Sequence, residues 1–326
     1  MRIAVVGIGV VGLSTALMLT RSGTHAITIF FAEDLSATCS SRSGAVFTPF
    51  GGPENVPLLA ASLREFTRLA LDHPDSGVRL GRALEYGHAG VPPIPPWASL
   101  IPGGPRILGP VGTLAGAYEL DVPMMDMTIY LPWLRAAAEH SGITLIQRRI
   151  DSLPALFAEG FDAVVNCSGL GARTLTPDPG VVPMRGQVLH VRNTLGLTDA
   201  LAAHDGAVTY IYPFPNHIVL GGTYEPDVES ETTEPHTLDA IRLRCEALLR
   251  AAGDSRWARL AEAPIRAVVG LRPARLLAEG VETIRLEREP LAADPTHILI
   301  HNYGHGRAGV TLSWGCAERV LQLLAD

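Results

Sequence analysis

Three glycines near the start of the chain have the spacing GxGxxG, which brings a backbone close to a phosphate. Gly7, Gly9 and Gly12 lie in the run GIGVVG, directly after the apolar run 3–6. Such glycines permit a tight turn, and a helix that starts there offers its first N–H groups to a pyrophosphate. The pattern alone is a weak signal, and an ordinary Gly-rich turn is the alternative.

An acidic residue lies at the distance at which this motif uses one. Glu33 follows Gly12 by 33 − 12 = 21 residues. A carboxylate at this spacing hydrogen-bonds the ribose of a bound dinucleotide, and it would repel the 2′-phosphate of NADP. The motif disfavours NADP and leaves the dinucleotide otherwise open. A surface acid is the alternative for Glu33.

The run HNYGHGRAGVTLSWGCA, residues 301–317, is typical of a strand, a Gly-rich turn and a helix. The helix would begin near residues 309–311 and direct its N-terminus at whatever lies over the strand end. A flavin that accepts a hydride gains negative charge, and a helix N-terminus stabilises such an anion. This second motif is therefore suited to a flavin.

Both motifs need a sheet that brings them together, and the apolar runs predict one. The expected elements, in order, are strand 3–6, helix 11–19, strand 26–31, helix 130–140, strands 143–146 and 163–165, a hairpin of 210–212 and 217–220, helix 238–251, strand 298–301 and helix 310–324. The Pro- and Gly-rich stretch 50–110 is typical of loops and short elements. The predicted fold class is α/β: a dinucleotide-binding sheet is drawn from the start, middle and end of the chain, and a substrate domain is inserted between these pieces.

Composition disfavours several other chemistries. The 326 residues carry a net charge of −7, and all 26 basic residues are Arg. Schiff-base and pyridoxal-phosphate mechanisms need a Lys amine, and a P-loop normally uses one. The absence of a basic block argues against nucleic acid and anionic membranes as partners.

The four cysteines, Cys39, Cys167, Cys245 and Cys316, are far apart and form no CxxC pair. We therefore expect reduced thiols, no metal site and no disulfide framework. Glycines interrupt the first apolar run, which argues against a signal peptide, and no apolar run is long enough to span a membrane. The last residues, LQLLAD, are not a peroxisomal address. We expect a cytoplasmic protein, and a bacterial one from its Arg-only usage.

The second motif resembles the C-terminal signature of the D-amino acid oxidase and D-aspartate oxidase family. Further segments resemble this family in the same order: RSGAVFTPF (42–50), VVNCSG (164–169), MRGQV (184–188), YIYPFPNHIVLGGT (210–223), VGLRPAR (269–275) and IRLERE (284–289). The resemblance covers nearly the whole chain and is weakest over 51–120.

The resemblance implies FAD, bound non-covalently between two domains. A Rossmann-like FAD-binding domain would comprise residues 1–49, 130–190 and 266–326. A substrate domain built on a mainly antiparallel sheet would comprise residues 50–129 and 191–265. Dimers are common in the family, so a homodimer is one expectation.

The motifs and the resemblance together assign residues to the cofactor and to the substrate. The cofactor residues are Gly7, Gly9, Val10, Val11, Gly12, Glu33, Asp34, Thr38, Cys39, Ser40, Gly44, Ala45, Ile150, Ser168, Gly169, Gly304, Gly306, Gly309, Val310 and Thr311. The substrate residues are Arg272, Tyr210, Arg307, Tyr212, Val46 and Thr48.

Arg272 corresponds to the family arginine that binds the substrate carboxylate, and a planar guanidinium suits a carboxylate. Tyr210 corresponds to the tyrosine whose hydroxyl contacts the same group. Tyr212 shares a strand face with Tyr210, and it would line the side-chain pocket with Val46 and Thr48 opposite. A structural salt bridge is the expectation for nearby Arg275.

Two departures from the family pattern affect the substrate site. The segment 200–209 is shorter than the lid of animal members and lacks its additional tyrosine, so substrate exchange would be less gated. Arg307 stands where animal D-amino acid oxidases have Gly and D-aspartate oxidases have Ser. The family uses the backbone carbonyl at this position to accept a hydrogen bond from the substrate amine. The Arg307 side chain would either point to solvent or reach the pocket and favour an acidic substrate.

The chemistry implied is hydride transfer from the α-carbon of a D-amino acid to flavin N5. Water then releases the 2-oxo acid and ammonia, and dioxygen becomes hydrogen peroxide. No protein base is needed at the α-carbon, so neither His301 nor His305 is expected to act as one. The alternatives within the flavoenzymes are a D-aspartate or D-glutamate oxidase, a glycine- or sarcosine-type amine oxidase, an enzyme with another acceptor such as a quinone, and a biosynthetic enzyme. An NAD-dependent dehydrogenase and a non-catalytic flavin-binding protein are the alternatives outside that class.

Overall fold

The computed structural model describes residues 1–23, 25–49, 53–204, 206–260, 265–277, 280–291 and 296–325. Its strands and helices are β1 (Arg2–Val6), α1 (Val10–Thr20), β2 (Ala26–Phe31), β3 (Ala45–Val46), α2 (Val56–Asp72), β4 (Val78–Gly87), β5 (Arg106–Leu108), β6 (Gly116–Met125), α3 (Met127–His140), β7 (Thr144–Gln147), α4 (Leu153–Ala158), β8 (Ala163–Asn166), α5 (Ala172–Leu175), β9 (Val181–Arg192), β10 (Ala200–His204), β11 (Val208–Pro213), β12 (His217–Gly221), β13 (Glu225–Pro226), α6 (Pro235–Ala251), α7 (Trp257–Leu260), β14 (Ile265–Arg275), β15 (Arg285–Glu289), β16 (Ile298–Tyr303) and α8 (Gly309–Ala325). Phe50 of the predicted segment 42–50, Asp205 of the segment 200–209 and parts of the predicted domain ranges lie outside the described residues.

The first of two sheets has six strands in the order β15-β16-β8-β1-β2-β7. The strands from β16 to β7 run parallel, and β15 is antiparallel to β16. β1 and β8 are apolar and almost wholly buried, as parallel strands covered on both faces must be. The predicted sheet, drawn from the start, middle and end of the chain, is confirmed.

The turn from β1 to α1 requires glycine at two positions. Gly7 has a φ of +120°, and a Cβ atom there would overlap the backbone carbonyl of Cys167 at the end of β8. A Cβ atom at Gly12 would overlap the carbonyl oxygen of Gly7. Because both side chains are missing, α1 begins directly at the carboxyl edge of the sheet.

The second sheet has the strand order β13-β9-β12-β11-β10-β4-β6-β3, with β14 paired to β9 and β5 to β6. Its pairs are antiparallel except for β10 and β4. One face packs against α6, where Ile211, Leu220 and Leu249 are fully buried. The mainly antiparallel sheet and the predicted hairpin, formed by β11 and β12, are confirmed.

The stretch 50–110 is more regular than predicted, and that prediction was wrong. It contains the 17-residue helix α2 and the ten-residue strand β4. Pro57 lies in the first turn of α2, where a missing N–H costs no hydrogen bond. The helix then buries Leu59, Leu63 and Phe66 along one face. The prolines that suggested loops lie mostly after β4.

Most other elements lie within a few residues of their predicted bounds. The largest shifts, of three residues each, are at the starts of two helices. α3 begins at Met127 rather than residue 130, because Asp126 caps it and accepts a hydrogen bond from the N–H of Thr128 at 3.0 Å, and α6 begins at Pro235 rather than residue 238. The residue ranges of the two domains stay a prediction.

Helix α8 is held by close contacts with α2 and α3. The N–H of Gly315 donates to Oγ of Ser62 at 2.8 Å, and a Cβ atom at Gly315 would overlap the backbone carbonyl of Leu58. On another side, Nε1 of Trp314 donates to the buried hydroxyl of Tyr130 at 2.8 Å. These contacts fix α8, whose N-terminus faces the cavity described below.

We predict that Gly315→Ala lowers the free energy of unfolding by about 1–3 kcal/mol, the usual cost of overpacking. In an ordinary helix interior the same change is stabilising by up to about 1 kcal/mol, because Gly is a poor helix former. Here the added methyl group meets the backbone of α2, so the helix has to shift. Thermal unfolding of the purified variant measures the change.

The matched control is Gly109→Ala. A Cβ atom at Gly109 meets no heavy atom within 4 Å, and its φ is not in the left-handed region. Its melting temperature should equal that of the unsubstituted protein. Equal melting temperatures for the two variants would contradict the predicted role of Gly315.

Candidate active site

A cavity of about 670 Å³ lies on the face of the second sheet opposite α6. Small-molecule sites commonly measure roughly 300–1,000 Å³. The substrate residues predicted from the sequence all line it, namely Arg272, Tyr210, Arg307, Tyr212, Val46 and Thr48. Several predicted cofactor residues line it as well, namely Cys39, Gly44, Ala45, Val310 and Thr311. The cavity therefore brings the two predicted sets together, whereas the roles of these residues stay predictions.

Arg272 lies in β14 with its guanidinium spread over Gly186 of β9. A Cβ atom at Gly186 would overlap that guanidinium, so the absence of a side chain makes the room. Nη1 of Arg272 donates to the backbone carbonyls of Arg185 and Thr223, each at 3.3 Å. In the part of the chain that the structure describes, no carboxylate forms an ion pair with Arg272. This arginine can therefore receive an anion from the cavity.

Tyr210 of β11 lies beside Arg272 and covers Gly221 of β12. A Cβ atom at Gly221 would overlap the tyrosine ring. Burial raises the pKa of Tyr210, and the positive charge of Arg272 opposes that rise. The hydroxyl therefore stays protonated near neutral pH and can donate a hydrogen bond to the anion that Arg272 binds.

Tyr212 continues the same face of β11 into a mostly apolar part of the cavity. Its ring stacks on that of Tyr210 with centroids 4.3 Å apart, and its hydroxyl lies 3.2 Å from Oγ1 of Thr48. Burial raises the pKa of Tyr212, and the nearby Glu85 carboxylate adds to the rise. With Val46, these groups form the wall that the sequence analysis assigned to the substrate side chain.

Arg307 lies at the cavity wall in contact with two residues that the sequence analysis did not single out. Its guanidinium is 3.5 Å from a carboxylate oxygen of Glu282 and stacks over the ring of Tyr224, 4.6 Å from the centroid. The Tyr224 hydroxyl donates to the same carboxylate. The Arg307 side chain is one-third exposed, at 33%. It therefore borders both solvent and cavity, and Glu282 offsets much of its charge.

The remaining cofactor residues lie mainly at one edge of the first sheet. They follow the carboxyl ends of the strands: Gly7 and Gly9 after β1, Glu33 and Asp34 after β2, Ile150 after β7, Ser168 and Gly169 after β8, and Gly304 and Gly306 after β16. Because these strands are parallel, their carboxyl ends share an edge, where open α/β sheets bind ligands. Glu33 is exposed there, whereas Asp34 pairs with Arg135 at 2.8 Å.

The segment 38–40 connects this edge to the cavity. Oγ of Ser40 accepts a hydrogen bond from the N–H of Val10 at 3.1 Å, and the neighbouring Cys39 lines the cavity. Helix α1 has no acidic residue in its first turn, and the N–H groups of Val11 and Gly12 have no partner within the helix. A glycine cradle, a helix N-terminus that attracts anions and a path to the cavity fit the pyrophosphate and ring system of FAD.

The two histidines of the C-terminal motif do not line the cavity. His301 is fully buried, with Nε2 2.8 Å from a carboxylate oxygen of Glu289. Burial lowers the pKa of His305 to about 4. Neither histidine lines the cavity, which agrees with the expectation that neither acts as a base. Arg275 pairs with Asp178 at 2.7 Å, so the expected structural salt bridge is confirmed.

Glu85 is a cavity residue that the sequence analysis missed. It lies in β4, is 6% exposed and lines the cavity together with Tyr118 and Trp97. The alternation of buried and exposed residues along a strand could have placed it, but the whole stretch 50–110 was interpreted as loops and short elements. The sequence analysis also gave no sign that Gly186 and Gly221 lie beneath the side chains of Arg272 and Tyr210 and leave room for them.

The described residues include no group of His, Cys, Asp and Glu side chains placed to hold a metal ion. Within the same ranges, no helix is both long enough and apolar enough to cross a membrane. All four cysteines are free thiols.

Comparisons with known proteins agree with this architecture. The family described as FAD dependent oxidoreductase matches residues 2–323. The D-amino-acid oxidase of Rubrobacter xylanophilus is 39% identical over 99% of this chain and 95% of its own, and that of Streptomyces coelicolor is 36% identical over 98% and 96%. The crystal structure of glycine oxidase from Geobacillus kaustophilus superposes with a TM-score of 0.79 at 19% identity, covering 99% of this chain and 95% of that one. The chain therefore belongs to the FAD dependent oxidoreductase family, and its cofactor is FAD.

Proposed function

We propose that this protein oxidises a D-amino acid to its imino acid, which water converts to the 2-oxo acid and ammonia. The observation that carries the proposal is the Arg272 guanidinium, which faces the cavity without a carboxylate partner among the described residues and lies beside the Tyr210 hydroxyl. An amino acid supplies the missing carboxylate. The names of the two relatives, both D-amino-acid oxidases, support the same substrate class.

The mechanism is one of binding and orientation. Arg272 binds the carboxylate through a charge-assisted hydrogen bond, and Tyr210 donates a second hydrogen bond to the same group. The backbone carbonyl of Arg307 would accept a hydrogen bond from the amine. Bound FAD supplies the acceptor for the two electrons that leave the α-C–H bond. With the carboxylate and amine held, the α-hydrogen keeps one direction, and such orientation alone removes a large part of a reaction barrier.

The helix N-terminus of α8 contributes electrostatic stabilisation. Val310 and Thr311, in its first turn, line the cavity, so the N-terminus of the helix borders it. A partial positive charge there would favour the negative charge that a flavin bound beside it gains during the reaction.

Dioxygen is proposed as the final acceptor, giving hydrogen peroxide. The non-covalent state of FAD, a cytoplasmic location and a homodimer remain part of the proposal, and sedimentation would test the dimer.

The proposed function is tested by anaerobic bleaching of the flavin absorbance at about 450 nm. The panel consists of D- and L-amino acids, glycine and sarcosine. We expect D-amino acids to bleach the flavin and their L-isomers to leave it oxidised, because the carboxylate, the amine and the side chain have separate partners. Bleaching by L-forms, or by no amino acid, would refute the proposed activity.

Two arginines of the same strand provide a matched comparison for this experiment. Arg272→Met should abolish bleaching at substrate concentrations that saturate the unsubstituted protein, because the anion loses its cationic partner. Arg275→Met removes an arginine engaged with Asp178, so it should lower stability but retain bleaching. Loss of bleaching in both variants with flavin still bound would argue against a specific role of Arg272.

We predict that Tyr210→Phe weakens substrate binding more than it slows flavin reduction. Arg272 still binds the carboxylate in this variant. The lost hydroxyl is a neutral donor, and its hydrogen bond to the charged carboxylate is worth about 1.5–3 kcal/mol. Rapid-reaction measurements separate the apparent Kd from the limiting rate of flavin reduction. A collapse of the limiting rate at saturating substrate, with Kd unchanged, would contradict this assignment.

A preference for acidic D-amino acids is a second candidate, favoured by the Arg307 guanidinium at the cavity wall. On this hypothesis, Arg307→Gly lowers the ratio of the kcat/KM for D-Asp to that for D-Ala about tenfold. A change of this size corresponds to the loss of one exposed charge-assisted hydrogen bond to the substrate side chain. The neighbouring Glu282 already offsets the arginine, which limits the effect. An unchanged ratio would remove the acidic preference and leave the oxidase proposal intact.

A further inference from the structure

We propose that Glu85 makes the side-chain pocket selective for D-amino acids with a long cationic side chain, such as D-Lys, D-Arg or D-ornithine. The proposal rests on the proposed function and narrows its substrate class. Among the described residues that line the cavity, Glu85 is the only carboxylate. It is also 6% exposed, so its charge faces the cavity rather than bulk water.

The strand register places Glu85 on the face that binds the carboxylate. Glu85 of β4 is paired with Ala202 of β10, and Ala202 is paired with Tyr210 of β11. Paired residues of adjacent strands direct their side chains to the same face of a sheet. The neighbours of Glu85 in β4, Leu84 and Tyr86, belong to the core on the opposite face. Glu85 and Tyr210 therefore share one row across the floor of the cavity.

The length of this row fits a long substrate. Adjacent strands are about 4.8 Å apart, so two spacings place the Cα atoms of Glu85 and Tyr210 roughly 10 Å from each other. The residue between them is Ala202, whose methyl group leaves the floor open. A substrate whose carboxylate lies at Tyr210 and Arg272 needs several methylenes to approach Glu85. D-Ala or D-Ser would end well short of it.

The surroundings of Glu85 suit a cation that carries an aliphatic stem. Tyr118, its partner on β6, and Tyr212 of β11 present aromatic surface in the same cavity. Aromatic faces attract ammonium and guanidinium groups and also pack against methylenes. Burial raises the pKa of Tyr118 and of Tyr212, and the Glu85 charge adds to both shifts. Both hydroxyls therefore stay neutral, and neither adds a negative charge beside Glu85.

The other charged residues described in the cavity wall are arginines, which cannot pair with a cationic side chain. Arg42 pairs with Glu231, and Arg307 pairs with Glu282. Arg272 is reserved for the substrate α-carboxylate in the proposed function. A cationic side chain would thus find its opposite charge at Glu85, whereas an acidic side chain that extended along this row would meet repulsion.

The test compares D-Lys with D-norleucine, which has the same four-carbon side-chain stem and no side-chain amine. We expect the unsubstituted holoenzyme to have a higher kcat/KM for D-Lys. In Glu85→Gln the ratio of D-Lys to D-norleucine should fall by about 30-fold or more, because a buried charge pair loses one partner. The ratio cancels general effects of the substitution on folding and flavin content.

Glu119→Gln is the matched control. Glu119 is one residue along β6 from Tyr118, faces the opposite side of the sheet and binds Arg82 and Arg106. Removal of its charge should leave the D-Lys to D-norleucine ratio unchanged. An equal fall in both variants would assign the effect to general disruption of the sheet and overturn the role of Glu85.

Several outcomes separate this inference from the proposed function. If D-norleucine bleaches the flavin and D-Lys does so no better, the role of Glu85 is refuted even where Glu85→Gln fails to fold. A ratio that favours D-Lys but survives Glu85→Gln refutes it as well. If no D-amino acid bleaches the flavin, the proposed function fails and this inference fails with it.

Discussion

The cavity is organised around the positive charge of Arg272, which forms no ion pair with a carboxylate of the described residues. Removal of a guanidinium from water is costly unless other groups compensate for the lost solvation. At Arg272 the described structure offers two backbone carbonyls at 3.3 Å and the neighbouring Tyr210 hydroxyl, which is partial compensation. An anion that enters the cavity supplies the rest of the compensation, so its binding stabilises the charge of Arg272. Arg275, three residues along the same strand, shows the opposite solution, because Asp178 neutralises it.

Missing side chains make this arrangement possible as much as present ones do. Arg272 spreads over Gly186 and Tyr210 covers Gly221, and a Cβ atom at either glycine would occupy the space of the functional group above it. The same device recurs at the first sheet, where Gly7 and Gly12 let α1 start at the strand ends. On the proposed function, the glycines of one sheet make room for the groups that bind the substrate carboxylate, and those of the other make room for the cofactor phosphates.

Sequence reasoning was strongest where residue type and local spacing carry the chemistry. The run from Gly7 to Gly12 and the helix at residue 309 could be assigned because turn geometry and helix N-termini are local properties. It was weakest over 50–110, where frequent Pro and Gly concealed α2 and β4. The role of Glu85 depends on strand pairing with residues more than a hundred positions away, and that of Gly186 depends on the conformation of Arg272. Neither can be obtained from local spacing.

Net charge is a poor guide to the chemistry of this cavity. The chain is acidic, at −7, yet its cavity contains Arg42, Arg272 and Arg307 and a single described carboxylate, Glu85. Position decides their effect. On the proposed function, Arg272 and Tyr210 bind the carboxylate end of an amino acid, and Glu85 lies two strands away from Tyr210 along the same floor. Two fixed ends and an amine acceptor define three attachment points on one carbon atom. The fourth substituent, the α-hydrogen, then has a single direction, and inversion of the α-carbon would exchange it with the amine. On the proposed function, stereoselectivity is therefore a consequence of where the charges are held.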